Sequence, residues 1–385
     1  MNKLHRLAAA AAGLMLGTAV SFGAVSAQDW SVPLGFDESN AKGMVLMEGE
    51  TGRVLFGVNP DEQLPMASTT KIMTALLTLE QPSLDASFVV NAAAIQVEGT
   101  SMGLREGDSV SLRTLAAGML LASGNDAANA AAAAIDGSSA RFAERMNERA
   151  ARIGMENTSF VTPSGLDDEN HYSTARDMGL LAREALKNPD FAALCGSSTM
   201  KLYYGNPPYA RWLSNHNRLL REYEGAIGVK TGFTKKSGRC LVSAAKREDV
   251  TLICVTLGAS DDWNLHKQAL DAGFAALERY SLSELMTEEH FVPVTGGTKS
   301  SVHIVPQEET VFSLTEEEAA RLEILPQFST LEYAPVACGQ ILGEAAVLLD
   351  GQLIGSVPLA AEREIAAKSK ENNGIFGWLF GSAGK

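Results

Sequence analysis

The sequence predicts an α+β protein: an antiparallel sheet flanked by a helical cluster, then a small all-β domain. Three observations point there. At 385 residues the chain exceeds what one hydrophobic core usually organises. Up to Tyr280 a hairpin pattern, several helical patterns and two β-rich runs follow one another, an order suited to an antiparallel sheet with helices packed on it. After Tyr280 the texture changes to short alternating runs separated by turn residues.

The elements follow in order. Residues 1–27, MNKLHRLAAAAAGLMLGTAVSFGAVSA, combine basic Lys3 and Arg6, an apolar run and the triplet Val25-Ser26-Ala27. This is the pattern of a secretory signal peptide cleaved after Ala27. An uncleaved membrane helix is the competing reading, which the Gly, Thr and Ser interruptions disfavour. The mature protein is therefore expected outside the cytoplasm. Residues 43–58, GMVLMEGETGRVLFGV, read as two strands around Glu50-Thr51-Gly52. Helical periodicity covers 70–80, 111–121, 126–136, 138–153, 174–187 and 263–279. Between them TPSGLDDENHYS (162–173) and YYGNPPYARW (203–212) read as loops. Runs around 224–231 and 238–257 read as strands.

Residues 28–283 are thus expected to form one domain and 284–362 a β-rich one, with Asp350-Gly351 a hairpin turn between two of its strands. The tail 363–385 ends in NNGIFGWLFGSAGK. Its Ile375, Phe376, Trp378, Leu379 and Phe380 would gather on one side of a helix, so residues 374–380 are expected to touch a membrane surface as an amphipathic anchor. A segment docked back onto the β domain is the plainer alternative.

Composition excludes some classes. With 32 Lys and Arg against 46 Asp and Glu, the net charge of −14 argues against a nucleic-acid partner. Cys195, Cys240, Cys254 and Cys338 are too scattered for a disulfide framework, and no C-x-x-C pair suggests zinc. Cys240 and Cys254 could face each other across a sheet, though small buried hydrophobes are the preferred reading. No metal and no cofactor is expected.

The chemistry starts at ASTTKIMTALL (67–77), where Lys71 sits inside an apolar helical pattern. An ammonium group is costly to bury unless something nearby needs it. Ser68 and Lys71, at i and i+3, share one helix face. A serine hydroxyl becomes nucleophilic when a base takes its proton, and a desolvated lysine can be that base. By itself the pattern is cheap: Ser198 and Lys201 repeat it without support. Taken alone, a capping Ser68 with a solvent-reaching Lys71 is the preferred explanation. Two further motifs change the balance. Ser123-Gly124-Asn125 lies at a helix–helix junction and Lys230-Thr231-Gly232 on a strand. The order S-x-x-K, S-x-N, K-T-G is that of the active-site serine penicillin-recognising enzymes.

With these motifs and the surrounding text (TGRVLFGVNPDEQLPMASTTKIMTALLTLE, SMGLREGDSVSLRTLAAGMLLASGNDAANA, PSGLDDENHYSTARDM, NHNRLL, GVKTGFTKKSGRCLVSAAKR), residues 40–280 resemble a D-alanyl-D-alanine carboxypeptidase, a low-molecular-weight penicillin-binding protein. The 284–360 region and aromatic tail are similar to that family's second domain and anchor. The resemblance implies a β-lactamase/transpeptidase-like catalytic domain. It implies that Ser68 attacks the carbonyl between the two D-alanines ending a peptidoglycan stem peptide, with Lys71 as base. Ser123 would pass a proton to the departing D-alanine, while Asn125 holds Lys71 and the substrate amide. Lys230 would provide positive potential for the substrate carboxylate, and Thr231, with Thr234, would hydrogen-bond it. The substrate would lie along the strand through Gly232 as an added edge. The N–H groups of Ser68 and Phe233 would hold the oxyanion, and β-lactams would stall as acyl-enzymes. The enzyme would work at the outer face of the cytoplasmic membrane. His171, His216 and Arg239 receive only supporting roles.

Three alternatives remain open at this stage. A class A β-lactamase would need a water-activating glutamate; Glu169 and Glu184 are present, but the E-x-x-L-N spacing is not. An inactive cell-wall-binding relative could retain the motifs. Transpeptidation would differ only in the acceptor.

Overall fold

The computed structural model describes residues 40–368; the expected signal peptide and tail anchor lie outside the described residues. Strands β1 (Gly43–Glu48) and β2 (Val54–Val58) form the hairpin read from the sequence. Chain order continues through α1 (Lys71–Leu79), the short β3 (Phe88–Val89) and β4 (Ser109–Val110), α2 (Leu112–Leu120), α3 (Asn125–Asp136), α4 (Ser139–Ile153), α5 (Ala175–Leu186) and α6 (Pro189–Cys195). The caps explain the boundaries. Ser111, Ser138, Thr174 and Asn188 each accept a first-turn backbone N–H, and Gly137 and Gly154 end their helices in the left-handed region.

Next come β5 (Thr199–Gly205), β6 (Pro208–Ser214), α7 (Leu219–Glu222), β7 (Ala226–Thr234), β8 (Gly238–Arg247), β9 (Val250–Ala259) and α8 (Asp262–Ala276). The main sheet is antiparallel, in the order β2-β1-β9-β8-β7, which leaves β7 at an edge. Both faces are buried, so GMVLME reads as a continuous apolar run instead of alternating. Val45 and Met47 point to the core shared with α1–α6, and Met44 and Leu46 to the core under α8. Helix α1 is buried at every position, including Lys71, because it runs through the centre of the first core.

Three expectations need correction here. Residues 203–212, read as a loop, belong to the β5–β6 hairpin; Pro207 and Pro208 sit at its turn, where no ladder N–H is needed. The 238–257 run is two strands, separated at Glu248 (φ 51). Helices α6 and α7 were not anticipated, being too short to show a period. Cys240 and Cys254 point into opposite cores, so they cannot face each other; both are free, as are Cys195 and Cys338.

The C-terminal part contains β10 (Glu278–Ser281), α9 (Leu282–Leu285), β11 (His290–Thr295), β12 (Ser301–Pro306), β13 (Val311–Leu314), α10 (Glu316–Ala320), β14 (Leu322–Phe328), β15 (Glu332–Tyr333), β16 (Ile341–Leu349) and β17 (Gln352–Ala361). Its main sheet runs β14-β16-β17-β12-β11-β15, and β10 pairs with β13. The β16–β17 turn is Asp350-Gly351, both at positive φ, as that dipeptide suggests. Pairing in this unit begins at Glu278, before residue 284. It continues past 362, because bridges Val336–Ile365 and Gly297–Ala367 place Ile365 in the core. The two parts are tied at the β1–β2 turn: Arg53 Nε donates to Glu318 Oε1 (2.7 Å) and its Nη2 to the Ser313 carbonyl (2.7 Å). Among the described residues no helix is long and apolar enough to cross a membrane.

Candidate active site

Ser68 lies in a 3-10 turn, Ala67–Thr70, that leads directly into α1. The turn is tied by its own hydroxyls: Thr69 Oγ1 donates to the Met66 carbonyl (2.6 Å) and Thr70 Oγ1 to the Ala67 carbonyl (2.7 Å). Ala67 itself is at φ 49, a left-handed conformation uncommon for a residue with a side chain. Lys71 follows with 0 % exposure. Its Nζ lies 2.9 Å from Ser68 Oγ, 2.7 Å from Asn125 Oδ1 and 2.6 Å from the Ser164 carbonyl. Burial, then the neighbouring Lys230 charge, hold the Lys71 amine well below its ordinary value, with Asp126 opposing. Nζ as an ammonium donates to all three acceptors; once neutral it keeps two hydrogens for Asn125 Oδ1 and the Ser164 carbonyl and has a lone pair for the Ser68 hydroxyl.

Ser123 sits at φ 56 between α2 and α3, 4 % exposed. Lys230 Nζ donates to its Oγ (3.0 Å) and to the Thr231 carbonyl (2.7 Å). Lys230 is 1 % exposed, and burial brings its amine down to about 7. The structure therefore places Lys230 behind Ser123, not on the cavity wall. Asn125 is oriented from both ends, with Oδ1 on Lys71 and Nδ2 donating to the Glu98 carbonyl (2.6 Å).

These groups border a cavity of about 400 Å³ lined by Ser68, Ser123, Asn125, Thr231, Gly232, Phe233 and Thr234, among others. Every candidate residue from the sequence lies on it except Lys71 and Lys230, which stand one layer behind. Edge strand β7 forms one wall. At Gly232 a side chain would come within 3.1 Å of the Met66 carbonyl and the Ser68 and Thr69 nitrogens, so glycine lets the strand run against the nucleophile turn. Thr234 Oγ1 lies 2.9 Å from Asp167 Oδ1 and 3.0 Å from Ser237 Oγ. Phe233 is exposed. Asp262 is the one carboxylate in the lining, and it is paired with Arg239 (2.7 Å). Glu184 pairs with Arg149 and Lys187 away from the cavity, and Glu169 is exposed.

Sequence reasoning passed over two supports. Asp126 accepts from the N–H groups of Met102, Gly103 and Leu104 (2.9–3.0 Å) and from Ser101 Oγ (2.6 Å), which shapes the loop beside Ser123. Its signal was a carboxylate in the first turn of an alanine-rich helix. Ser164 contributes a backbone carbonyl, for which side-chain identity carries no signal.

The buried histidines make a stability prediction. Burial lowers His171 to about 4 and His266 to about 3. Both values are below that of the unfolded chain, near 6.5. The unfolded state then binds more protons at acid pH, so stability is full above about pH 6.5 and falls towards pH 4. Each residue should cost about 2 kcal/mol by pH 5, whereas Asp177, raised by burial, acts in the opposite direction. Urea unfolding at pH 7 and pH 5 checks this; equal stability would contradict it.

Residues 28–261 match the D-alanyl-D-alanine carboxypeptidase family, and residues 286–367 the C-terminal domain of penicillin-binding protein 5. The chain belongs to this carboxypeptidase family. It is 33 % identical to D-alanyl-D-alanine carboxypeptidase DacF of Bacillus subtilis, over 84 % of this chain and 86 % of that one. It is 31 % identical to DacC of Escherichia coli, over 89 % and 87 %. Penicillin-binding protein 5 of Haemophilus influenzae superposes with a TM-score of 0.66 at 28 % identity, over 85 % of this chain and 98 % of that one. The Streptomyces K15 DD-transpeptidase superposes at 0.58 and 32 % identity, over 61 % and 97 %. With the family, this is a serine-type carboxypeptidase built on the transpeptidase fold with an added β-rich domain.

Proposed function

We propose that Ser68 removes the terminal D-alanine from peptidoglycan stem peptides through an acyl-enzyme. The observation that carries this is the environment of Lys71: buried, with its Nζ within hydrogen-bond distance of Ser68 Oγ and held there by Asn125 Oδ1 and the Ser164 carbonyl. Ser68 Oγ attacks the carbonyl carbon between the two D-alanines while Lys71 takes its proton. The N–H groups of Ser68 and Phe233 receive the developing oxyanion. As the C–N bond breaks, Ser123 Oγ passes a proton to the leaving amine and is re-protonated from Lys230, 3.0 Å behind it. Lys230 supplies positive potential through Ser123, and Thr231 and Thr234 bind the departing carboxylate. The peptide adds to the free edge of β7. Water then cleaves the ester, and a β-lactam halts at the acyl stage. An extracytoplasmic location, with residues 374–380 touching the membrane, belongs to the same proposal.

Intact-mass spectrometry with penicillin, wild type beside Ser68→Ala, tests it together with D-alanine release from diacetyl-Lys-D-Ala-D-Ala. The expected result is a penicilloyl adduct and D-alanine release, both lost in the variant. Rapid penicillin turnover without peptide cleavage would indicate a β-lactamase, and no adduct with no release an inactive relative.

A further inference from the structure

Buried His171, 3 % exposed, joins the two pieces of backbone that define the nucleophile's surroundings. Its Nδ1 accepts from the Val161 N–H (2.9 Å), which requires the ring proton to sit on Nε2. Nε2 lies 2.8 Å from Thr70 Oγ1, and that hydroxyl donates to the Ala67 carbonyl (2.7 Å). One directional chain thus runs from Val161 N–H through the imidazole and Thr70 to Ala67. At one end is the strained residue that precedes Ser68. At the other is the segment 161–167, whose Ser164 carbonyl accepts from Lys71 and whose Pro163 carbonyl accepts from Thr74 Oγ1 (2.6 Å). The segment also reaches Thr234 through Asp167. A bridge between Ser159 and Tyr172 closes its base, and Phe160 packs edge-on to the ring at 6.0 Å. Lys71 also spans the two, from Ser68 Oγ to the Ser164 carbonyl, but His171 reaches the segment at its Val161 N–H and the turn through Thr70.

We propose that His171 is a positioning residue for acylation: as a neutral ring with its proton on Nε2, it sets the distance between Ser68 and the carbonyl that aims Lys71. It touches neither substrate nor Ser68, so its effect is on the rate of ester formation and not on ligand affinity. The charged groups nearest the ring oppose one another, Asp167 and Asp168 favouring protonation and Lys71 disfavouring it, while burial dominates and keeps it neutral. A second proton would put Nδ1–H against the Val161 N–H and break the chain. The inference rests on the acyl-enzyme reading of Ser68.

The test separates the non-covalent penicillin dissociation constant from the acylation rate constant, by stopped mixing and intact mass at pH 7.5. Thr70→Val keeps the side-chain shape but removes the hydroxyl; it is expected to slow acylation by about 10- to 100-fold with the dissociation constant unchanged, the scale of a small misplacement of reacting groups. His171→Ala is expected to match it, and the double variant to be no slower than the worse single one, since both cut one chain. Thr70→Ser, and His171→Gln with its paired acceptor and donor, are expected to restore most of the rate. Acylation within about 3-fold of wild type in folded Thr70→Val would overturn the proposal, being well short of the rate loss set by misplacement. So would a loss confined to the dissociation constant. If His171→Ala does not fold, the Thr70 pair decides. A wild type that forms no adduct at all would instead remove the acyl-enzyme reading.

Discussion

Lys71→Met is expected to lose acylation by penicillin while keeping its fold. A positioned general base is worth about 10²- to 10⁴-fold, and the remaining groups at Ser68 offer no replacement. Met has nearly the length of lysine and fills the same buried channel, so the core under α1 stays packed. Two acceptors, Asn125 Oδ1 and the Ser164 carbonyl, lose their donor, at about 1–3 kcal/mol for a buried unsatisfied group. Removal of a desolvated amine offsets part of that, so the melting temperature should move little compared with the rate. The pH profile provides a second check. In the wild type, acylation requires the neutral amine and falls as acid protonates Lys71; the residual rate in Lys71→Met should be nearly flat. An adduct forming within about ten-fold of the wild-type rate would show that Ser68 draws on another base, because that loss is below what a positioned base contributes.

Gly165→Ala is expected to damage both stability and chemistry. Gly165 is at φ 83, and a Cβ there would lie 2.0 Å from the Ala67 carbonyl oxygen and 2.8 Å from Thr70 Oγ1. The first contact is with backbone, so no rotamer change relieves it. Strain at a positive φ and forced displacement of a packed neighbour together suggest a loss of about 2–4 kcal/mol. The element that must shift is the turn carrying Ser68, and a displacement near 1 Å can cost about 10²-fold in rate. Thermal unfolding and the penicilloylation rate of the surviving folded protein measure the two effects. Wild-type values for both would mean that the turn and the 161–167 segment are not in the close contact described.

The legible parts of the site are those whose chemistry lies in side chains at short spacing. Ser68 and Lys71 are one turn apart, so any helix brings them together. Ser123, Asn125 and Lys230 were recognised by motif order, which says nothing about distance. The long amphipathic helices and the first hairpin were readable because caps and turn residues mark their ends. The β5–β6 hairpin was not, because its prolines and tyrosines mimic a loop until the edge position that tolerates them is known. Asp126 and Ser164 were missed because each works on or through backbone groups, where sequence gives little signal.

What the sequence by itself determined is the inventory: a serine, two lysines, a second serine and an asparagine in an order that the family shares, on the elements their local periodicity predicts. The tertiary structure alone decided where each lysine amine lies. Both are buried, but Lys71 directs its amine at Ser68 and Lys230 directs its amine at Ser123. That assignment depends on a carbonyl from the 161–167 segment and on an edge strand far away in the chain, packed against a turn by a glycine. The physical reason is desolvation. Burial makes an amine a base only when the whole fold closes around it, and no local stretch of sequence can exclude water on its own.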